Sequence, residues 1–433
     1  MITIGENDIE TNQLQAEIHW SLPQKAGFLL IFNYLILYIF PFPIVKDAFV
    51  FDFSNFYEPA FEAITVWFGK SILRVGYDFS ASGYGSGDHT YAYIRIIFTI
   101  CLSIIFTAVI LILDKKRNNY LFLNKVLRAY CIYYLAFIAF GYGIVKVFKS
   151  QFSFPPLYRL IETYGDSSPM GLAWTFMGYS TLYTFFAGFC EVLGGILIIF
   201  KRTRLIGAIT IAMVMLNVFM FNLGYDVPVK LYSFHLMLIA VFIASPNFKQ
   251  MIDFFILKKA SQLVDHDGLF EGFKYKRYLD YFRISSLLVV AVLMIDYGIT
   301  SESQWGDKMK KPDLWGIYNV ETYISGIDTI PPLMTDTTRW KQLIIDRWGR
   351  GIIVGMNDNR RYFGLTQDSI MNTMRFKNRI DSMQFAYQLK DDSLMSLISM
   401  DSTVQLHLKK YDINKFLLVS RGFNWINERP FNR

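Results

Sequence analysis

Seven apolar runs, each about 17 to 25 residues and so long enough to cross a hydrocarbon layer of roughly 30 Å, fall near 28 to 46, 94 to 113, 129 to 147, 178 to 200, 205 to 223, 230 to 245 and 284 to 299. After Pro312 the period shortens to two. Met383, Phe385, Tyr387 and Leu389 alternate with Gln384, Ala386, Gln388 and Lys390, and Val404, Leu406 and Leu408 alternate with Gln405, His407 and Lys409, the signature of half-buried strands. Met356-Asn-Asp-Asn359 and Lys390-Asp-Asp-Ser393 supply hairpin turns. Six to eight such strands suit a small antiparallel meander barrel or sandwich. The pattern therefore predicts a mainly α, polytopic membrane protein of about seven transmembrane helices, followed by a small antiparallel all-β extracytoplasmic domain.

Composition supports the membrane class: of 433 residues, 53% are hydrophobic and 17% aromatic. The net charge of +7 would raise nucleic acid as a partner, but the basic residues gather in alternate loops. Lys115, Lys116, Arg117, Lys125 and Arg128 flank one connection, Lys201, Arg202 and Arg204 fill the next but one, and Lys249, Lys258, Lys259, Lys274, Lys276, Arg277 and Arg283 crowd a third. By the positive-inside rule those loops are cytoplasmic. This excludes a nucleic-acid reading and gives an inner (cytoplasmic) membrane protein with its N-terminus inside and its β domain periplasmic. The polar, acidic start lacks the basic residues and cleavage site of a secretory signal, so the first span is expected to remain as an anchor.

Expected organisation follows from these boundaries. Residues 1–26 form a cytoplasmic segment, 27–123 carry two helices with an interfacial outer loop, and 124–248 form a compact four-helix core. A basic cytoplasmic connector occupies 249–282, a last helix 283–300, and the β domain 312–433. In the outer loop, Phe61, Ile64, Trp67, Phe68 and Ile72 stand at helical spacing, as in a helix lying on the membrane. Gly83-Tyr-Gly-Ser-Gly-Asp88 reads as a turn into the second span, with Ser86 or Asp88 as its N-cap.

Two ionisable residues stand out inside the spans, Lys146 at the end of one helix and Glu191 in the middle of the next. A charge at such depth costs several kcal/mol, so each is by default a functional hypothesis. Lys146 can snorkel to the interface or, with its ammonium form disfavoured by apolar walls, serve as a proton acceptor. Glu191 has no such escape. It is satisfied by an ion pair with Lys146, or in protonated form by Tyr134, Tyr142 or Asn217. Asp226, Lys230 and His235 mark the outer end of a later helix, where His235 is either a hydrogen-bonded packing residue or a proton relay. Asp166 and Ser168 are expected to cap the helix that follows them, and Lys149 to sit at the interface. Lys146, Glu191 and His235 are thus the catalytic candidates, with Asp226, Lys230, Tyr142, Asn217 and Asp166 as binding candidates.

Other chemistries lack their motifs. No Walker loop, dinucleotide fingerprint or Gly-x-Ser-x-Gly elbow occurs. Cys101, Cys131 and Cys190 all fall in apolar runs, so neither a disulfide framework nor a thiolate metal site is expected. Arginine and tryptophan recur together in the β domain, at Arg339-Trp340, Arg347-Trp-Gly-Arg350 and Arg421-Gly-Phe-Asn-Trp425, which suits cation–aromatic packing. A barrel of this size is filled by its own side chains or holds one small lipophile.

The segment from about 128 to 248 resembles the DoxX-like family of membrane proteins. The resemblance rests on the lysine closing Gly141-Tyr-Gly-Ile-Val-Lys146, on Glu191-Val-Leu-Gly-Gly195, and on the basic turn Lys201-Arg-Thr-Arg204. It implies a four-helix membrane core and an association with quinone-linked sulfur oxidation or redox homeostasis. The lysine-ended helix is also similar to the core of bacterial relatives of vitamin K-dependent carboxylase, in which the lysine matching Lys146 acts as a base on a reduced quinone. The whole chain, with its Tyr164-Gly-Asp-Ser-Ser-Pro169 loop and terminal β domain, looks like DoxX-like proteins of Bacteroidota. A quinone or other lipophile in an outward-facing pocket is the expectation these resemblances add. The rival expectation is a non-catalytic membrane scaffold or lipid-handling protein whose β domain binds an envelope partner. An open cavity at Lys146 and Glu191 favours the first, a sealed ion pair the second.

Overall fold

A computed structural model describes residues 18–42, 54–81, 87–263 and 275–432; the proposed cap Ser86 and the basic residue Lys274 lie outside them. In chain order the longer helices are α1 (Leu22–Ile39), α2 (Ser54–Ser71), α3 (Thr90–Leu113) and α4 (Leu121–Val147), then α5 (Leu157–Leu160), α6 (Pro169–Tyr179), α7 (Thr181–Ile199) and α8 (Arg204–Gly224). After these come α9 (Lys230–Ala244), α10 (Phe248–Phe255), α11 (Lys276–Trp305) and the short α12 (Leu417–Ser420). Among the described residues seven helical stretches are long and apolar enough to cross a membrane: α1, α3, α4, α7, α8, the run of α9 into α10, and α11. The chain divides into two compact units, 1–147 with 185–298 and 148–184 with 299–433.

The helical unit is organised by what each helix end and face needs. At the start of α1, Ser21 and Gln24 form a reciprocal capping box with Pro23 in the first turn, so this helix begins before the apolar run does. Its Asn33 donates to Thr107 of α3 across 3.1 Å, a buried polar clasp of the kind that joins helices in lipid. The main core draws Leu35 from α1, Leu127 and Leu135 from α4, Ile198 from α7, Ile211 from α8, and Leu236 and Ile239 from α9. Five helices therefore share this core, α1 joining the four that the sequence places within 124–248. Arg128 of α4 donates to the carbonyls of Phe242 (3.1 Å) and Ile243 (3.4 Å), satisfying acceptors that the C-terminus of α9 leaves open. On α2, Phe61 and Phe68 pack on Phe98 of α3 at 5.7 and 5.1 Å, while Ile64 and Trp67 stay exposed.

In the second unit, β1 (Gly316–Ser325), β2 (Asp328–Thr329), β3 (Trp340–Asp346), β4 (Arg350–Gly355), β5 (Arg360–Asp368), β6 (Thr373–Lys377), β7 (Ser382–Leu389), β8 (Leu394–Ser399) and β9 (Val404–Lys410) form one antiparallel meander. It closes where β1 pairs with β9 across a bulge at Val320/Thr322, giving an eight-stranded barrel with β2 as a short extension of β1. Period two fills the interior. Tyr318, Trp340, Leu343, Ile353, Phe363, Met374, Phe376, Phe385, Leu397 and Leu406 all point inward and pack together, so side chains occupy the space a lipophile would need. Burial pushes the Tyr318 phenol up to about 12, and its hydroxyl donates to the Leu314 carbonyl.

The segment between α4 and α7 is part of this unit and not a simple loop. Leu157 of α5 is buried on the outer barrel face against Ile317, Ile344, Ile352 and Val354. Asp346, 1% exposed, accepts from the Leu157 and Arg347 amides at 2.9 and 2.8 Å. Arg347 donates to the Gly306 and Phe154 carbonyls, both at 3.2 Å. Asp307 accepts from the Phe154 amide at 2.6 Å and pairs with Lys149 at 2.9 Å. Lys149 further donates to the Gly178 carbonyl at 2.8 Å and to Thr181 at 3.1 Å, so it is buried and engaged within the protein.

Candidate functional site

Lys146, in the last turn of α4, and Glu191, in the middle of α7, form a closed ion pair. The ammonium lies 2.9 and 2.7 Å from the two carboxylate oxygens, and the residues are 7% and 1% exposed. Two glycines make the pair possible. A Cβ on Gly143 would stand 2.7 Å from the Gly188 carbonyl oxygen and from Val192, and one on Gly188 would stand 2.8 Å from Cβ of Lys146. The helices touch backbone to backbone there, and Lys146, leaning toward the N-terminus of its helix as helical side chains do, reaches Glu191 over the space Gly143 leaves. The Tyr142 ring lies 5.6 Å from the ammonium and is itself 41% exposed.

The remaining predicted residues are distributed differently. His235 is buried, with Nδ1 2.6 Å from the Leu231 carbonyl and Nε2 2.6 Å from the Tyr34 hydroxyl. A carbonyl can only accept, so Nδ1 carries the proton and Nε2 accepts from Tyr34. With Tyr38 stacked on it at 4.3 Å, His235 is a committed packing residue. Asp226 is exposed and pairs with Lys230 at 3.0 Å. Asn217 faces outward on α8; the buried amide of that helix is Asn222, which donates to Ser233 at 3.1 Å. Tyr134 donates to Tyr232 at 3.4 Å, and Tyr232 packs 6.0 Å from Tyr142. Asp166 lies exposed in a short turn, bonded to Thr163, while Ser168 alone caps α6 by accepting from Gly171.

Asp88 does not cap its own helix. Its carboxylate accepts from the Lys230 and Leu231 amides at 2.6 and 3.1 Å, so it caps α9, where the first amides lack intrahelical partners. Asp88→Ala is therefore expected to cost about 0.5–2 kcal/mol, read as a lowered unfolding midpoint of the full chain. An unchanged midpoint would contradict the cap role.

A second polar region escaped the sequence reading. Tyr57, Glu58, Glu62, His89 and Arg95 line a cavity of about 350 Å³ between α2 and the start of α3. Glu62 accepts from the Ala81 amide at 2.7 Å, and Arg95 lies 5.3 Å over the Phe61 ring. The available signal was Glu58 and Glu62 at one-turn spacing on a helix otherwise noted for its apolar face. No group of histidine, cysteine and acidic side chains among the described residues is arranged to hold a metal.

Comparisons with known proteins add little to this geometry. No family model matches the chain, and no solved structure matches it. The chain is 35% identical over 97 residues to the uncharacterized protein YwoB of Bacillus subtilis (strain 168), a match that takes in 22% of this chain and 61% of that protein.

Proposed function

We propose that this chain is a multi-pass anchor in a bacterial cytoplasmic membrane that holds a binding barrel on the periplasmic side, and that its buried charges fix helix packing without turnover. The closure of the Lys146–Glu191 pair carries this reading: the ammonium bonds both carboxylate oxygens, so each member of the pair is engaged by the other. The filled barrel and the doubly bonded His235 support it. The orientation rests on charge, and the number of crossings is consistent with it. Basic residues crowd alternate loops, and the segment after α4 shares a compact unit with the segment after α11, as it must if an even number of crossings separates them. On this reading the helical unit is a DoxX-like core put to structural use, since one core hosts many functions, and the apolar side of α2 rests in the interface.

One observation favours the quinone reading: Tyr142, beside Lys146, is exposed on the apolar surface. The two readings separate by extraction of lipophiles from the purified full chain. The anchor reading expects the same lipid profile for the wild type and for Lys146→Met/Glu191→Leu. A quinone bound near one per chain and lost in that variant would replace it.

A further inference from the structure

We infer that the outer face of the barrel carries a binding groove for an acidic saccharide, a sugar bearing phosphate or carboxylate. The proposal rests on the reading that the barrel is the binding part of the molecule. The groove is a cavity of about 360 Å³ over β4, β5 and β6, bordered by Trp348, Arg350, Tyr362, Gly364, Lys377 and Arg379.

Strand register builds it. Arg350 is paired with Gly364, and Gly364 with Lys377, so two cations stand on either side of a strand position that has no side chain. Neighbouring strands lie about 4.8 Å apart, which sets the two cationic backbones roughly 10 Å from each other, the width of one hexose with an anionic substituent. Gly364 is not required by its backbone, for its φ is outside the left-handed range and the nearest atom a Cβ would meet, the Lys377 carbonyl oxygen, is 3.4 Å away. Its effect is to keep the floor of the groove open.

Charge gives the ligand its sign. Among the described residues, Arg350, Lys377 and Arg379 have no carboxylate partner, whereas the nearby Arg360 and Lys341 are paired with Glu162 and Asp358. Arg350 is held in place by aromatic faces, 5.8 Å from both Trp348 and Tyr158, and keeps its guanidinium edge for a bidentate oxyanion. The ring component follows from Trp348 and Tyr362, which wall the groove.

Isothermal titration of the full chain in detergent with glucose 6-phosphate, glucuronate, glucose and inorganic phosphate tests the proposal. The two acidic sugars are expected to bind, glucose not to bind, and phosphate alone to bind at least tenfold more weakly than glucose 6-phosphate. Lys377→Gln/Arg379→Gln, which alters only exposed side chains, should weaken the acidic sugars at least tenfold. Gly364→Val, which fills the floor and leaves every charge, should abolish binding while the unfolding midpoint is kept. No binding of either acidic sugar up to about 10 mM, equal affinity for phosphate and glucose 6-phosphate, or affinity unchanged in both variants would each overturn it. Lipophile extraction on the same preparation separates the two ideas: a Glu191-dependent quinone defeats the anchor reading, whereas absent sugar binding with an unchanged lipid profile defeats the groove alone.

Discussion

Glu191→Leu alone is expected to lower the stability of the helical unit by about 3–5 kcal/mol, because it leaves the Lys146 ammonium buried without a counter-charge. Lys146→Met should cost a similar amount by stranding the carboxylate. The loss is large for one side chain because the two residues are 7% and 1% exposed, so the charge left behind is out of reach of water. The Tyr142 ring lies 5.6 Å from the ammonium, and a cation–π contact there recovers about 1–2 kcal/mol. Thermal unfolding of the full chain in detergent, followed by tryptophan fluorescence and by retention of a monodisperse peak, reads the effect. Unchanged midpoints in both single variants would show that Lys146 snorkels to the interface and that the pair is incidental.

The second large effect is expected at Arg347, whose side chain is 5% exposed. Arg347→Ala removes the donor to two backbone carbonyls, at Gly306 and Phe154, and takes a cation away from Asp307. Asp307 keeps Lys149 as its partner, so the cost comes from the stranded carbonyls, about 1–3 kcal/mol for each that stays buried. The damage should be local. Residues 148–184 are held to the barrel by the contacts of Leu157, Asp346, Asp307 and Lys149, so limited proteolysis of the variant should cut between Phe148 and Tyr179 while the barrel fragment survives. A cleavage pattern identical to the wild type would remove Arg347 from its place as the fastening of that segment.

How much of this was legible in the sequence depends on the range of the interaction. Period two at Met383 to Leu389 is a local property of a strand with one wet face, so the barrel and its turns at Asp358 and Asp391 could be read directly. The apolar runs are equally local, and their number agrees with the seven long helices. Partners distant in the chain were not legible. The partner of Lys149, Asp307, is more than 150 residues away in the chain, and Asp88 looks like the cap of the helix it precedes until the start of α9 arrives. The segment 148–184 is apolar in many places, but Pro155, Pro156, Gly165 and Pro169 break it into pieces too short to display a period, and the burial of Leu157 is decided by the barrel face it covers.

At the candidate site the same distinction holds. Two buried charges were visible as anomalies, but their closeness depends on Gly143 and Gly188 meeting across two helices, which no window on one helix contains. Asn217 and Asn222 show the limit of helical phase: both lie on α8, and only packing decides that Asn222 turns inward to Ser233 while Asn217 turns out. His235 shows a third case, a residue whose type suggests chemistry but whose two ring nitrogens are bonded by Tyr34 and Leu231 while Tyr38 stacks on its ring.

The central claim is that Lys146 and Glu191 serve each other and no third party. The unfolding midpoint of the double variant Lys146→Met/Glu191→Leu in the full chain, set in a cycle with the two single variants, tests it most directly. Replacing a buried ion pair by apolar side chains of similar volume is often neutral or stabilising by about 1–4 kcal/mol, so the account predicts a double variant at or above the wild-type midpoint, with both singles well below it. A double variant as unstable as the worse single, or lower, would contradict it, because at least one of the charges would then be answering to a partner other than its mate.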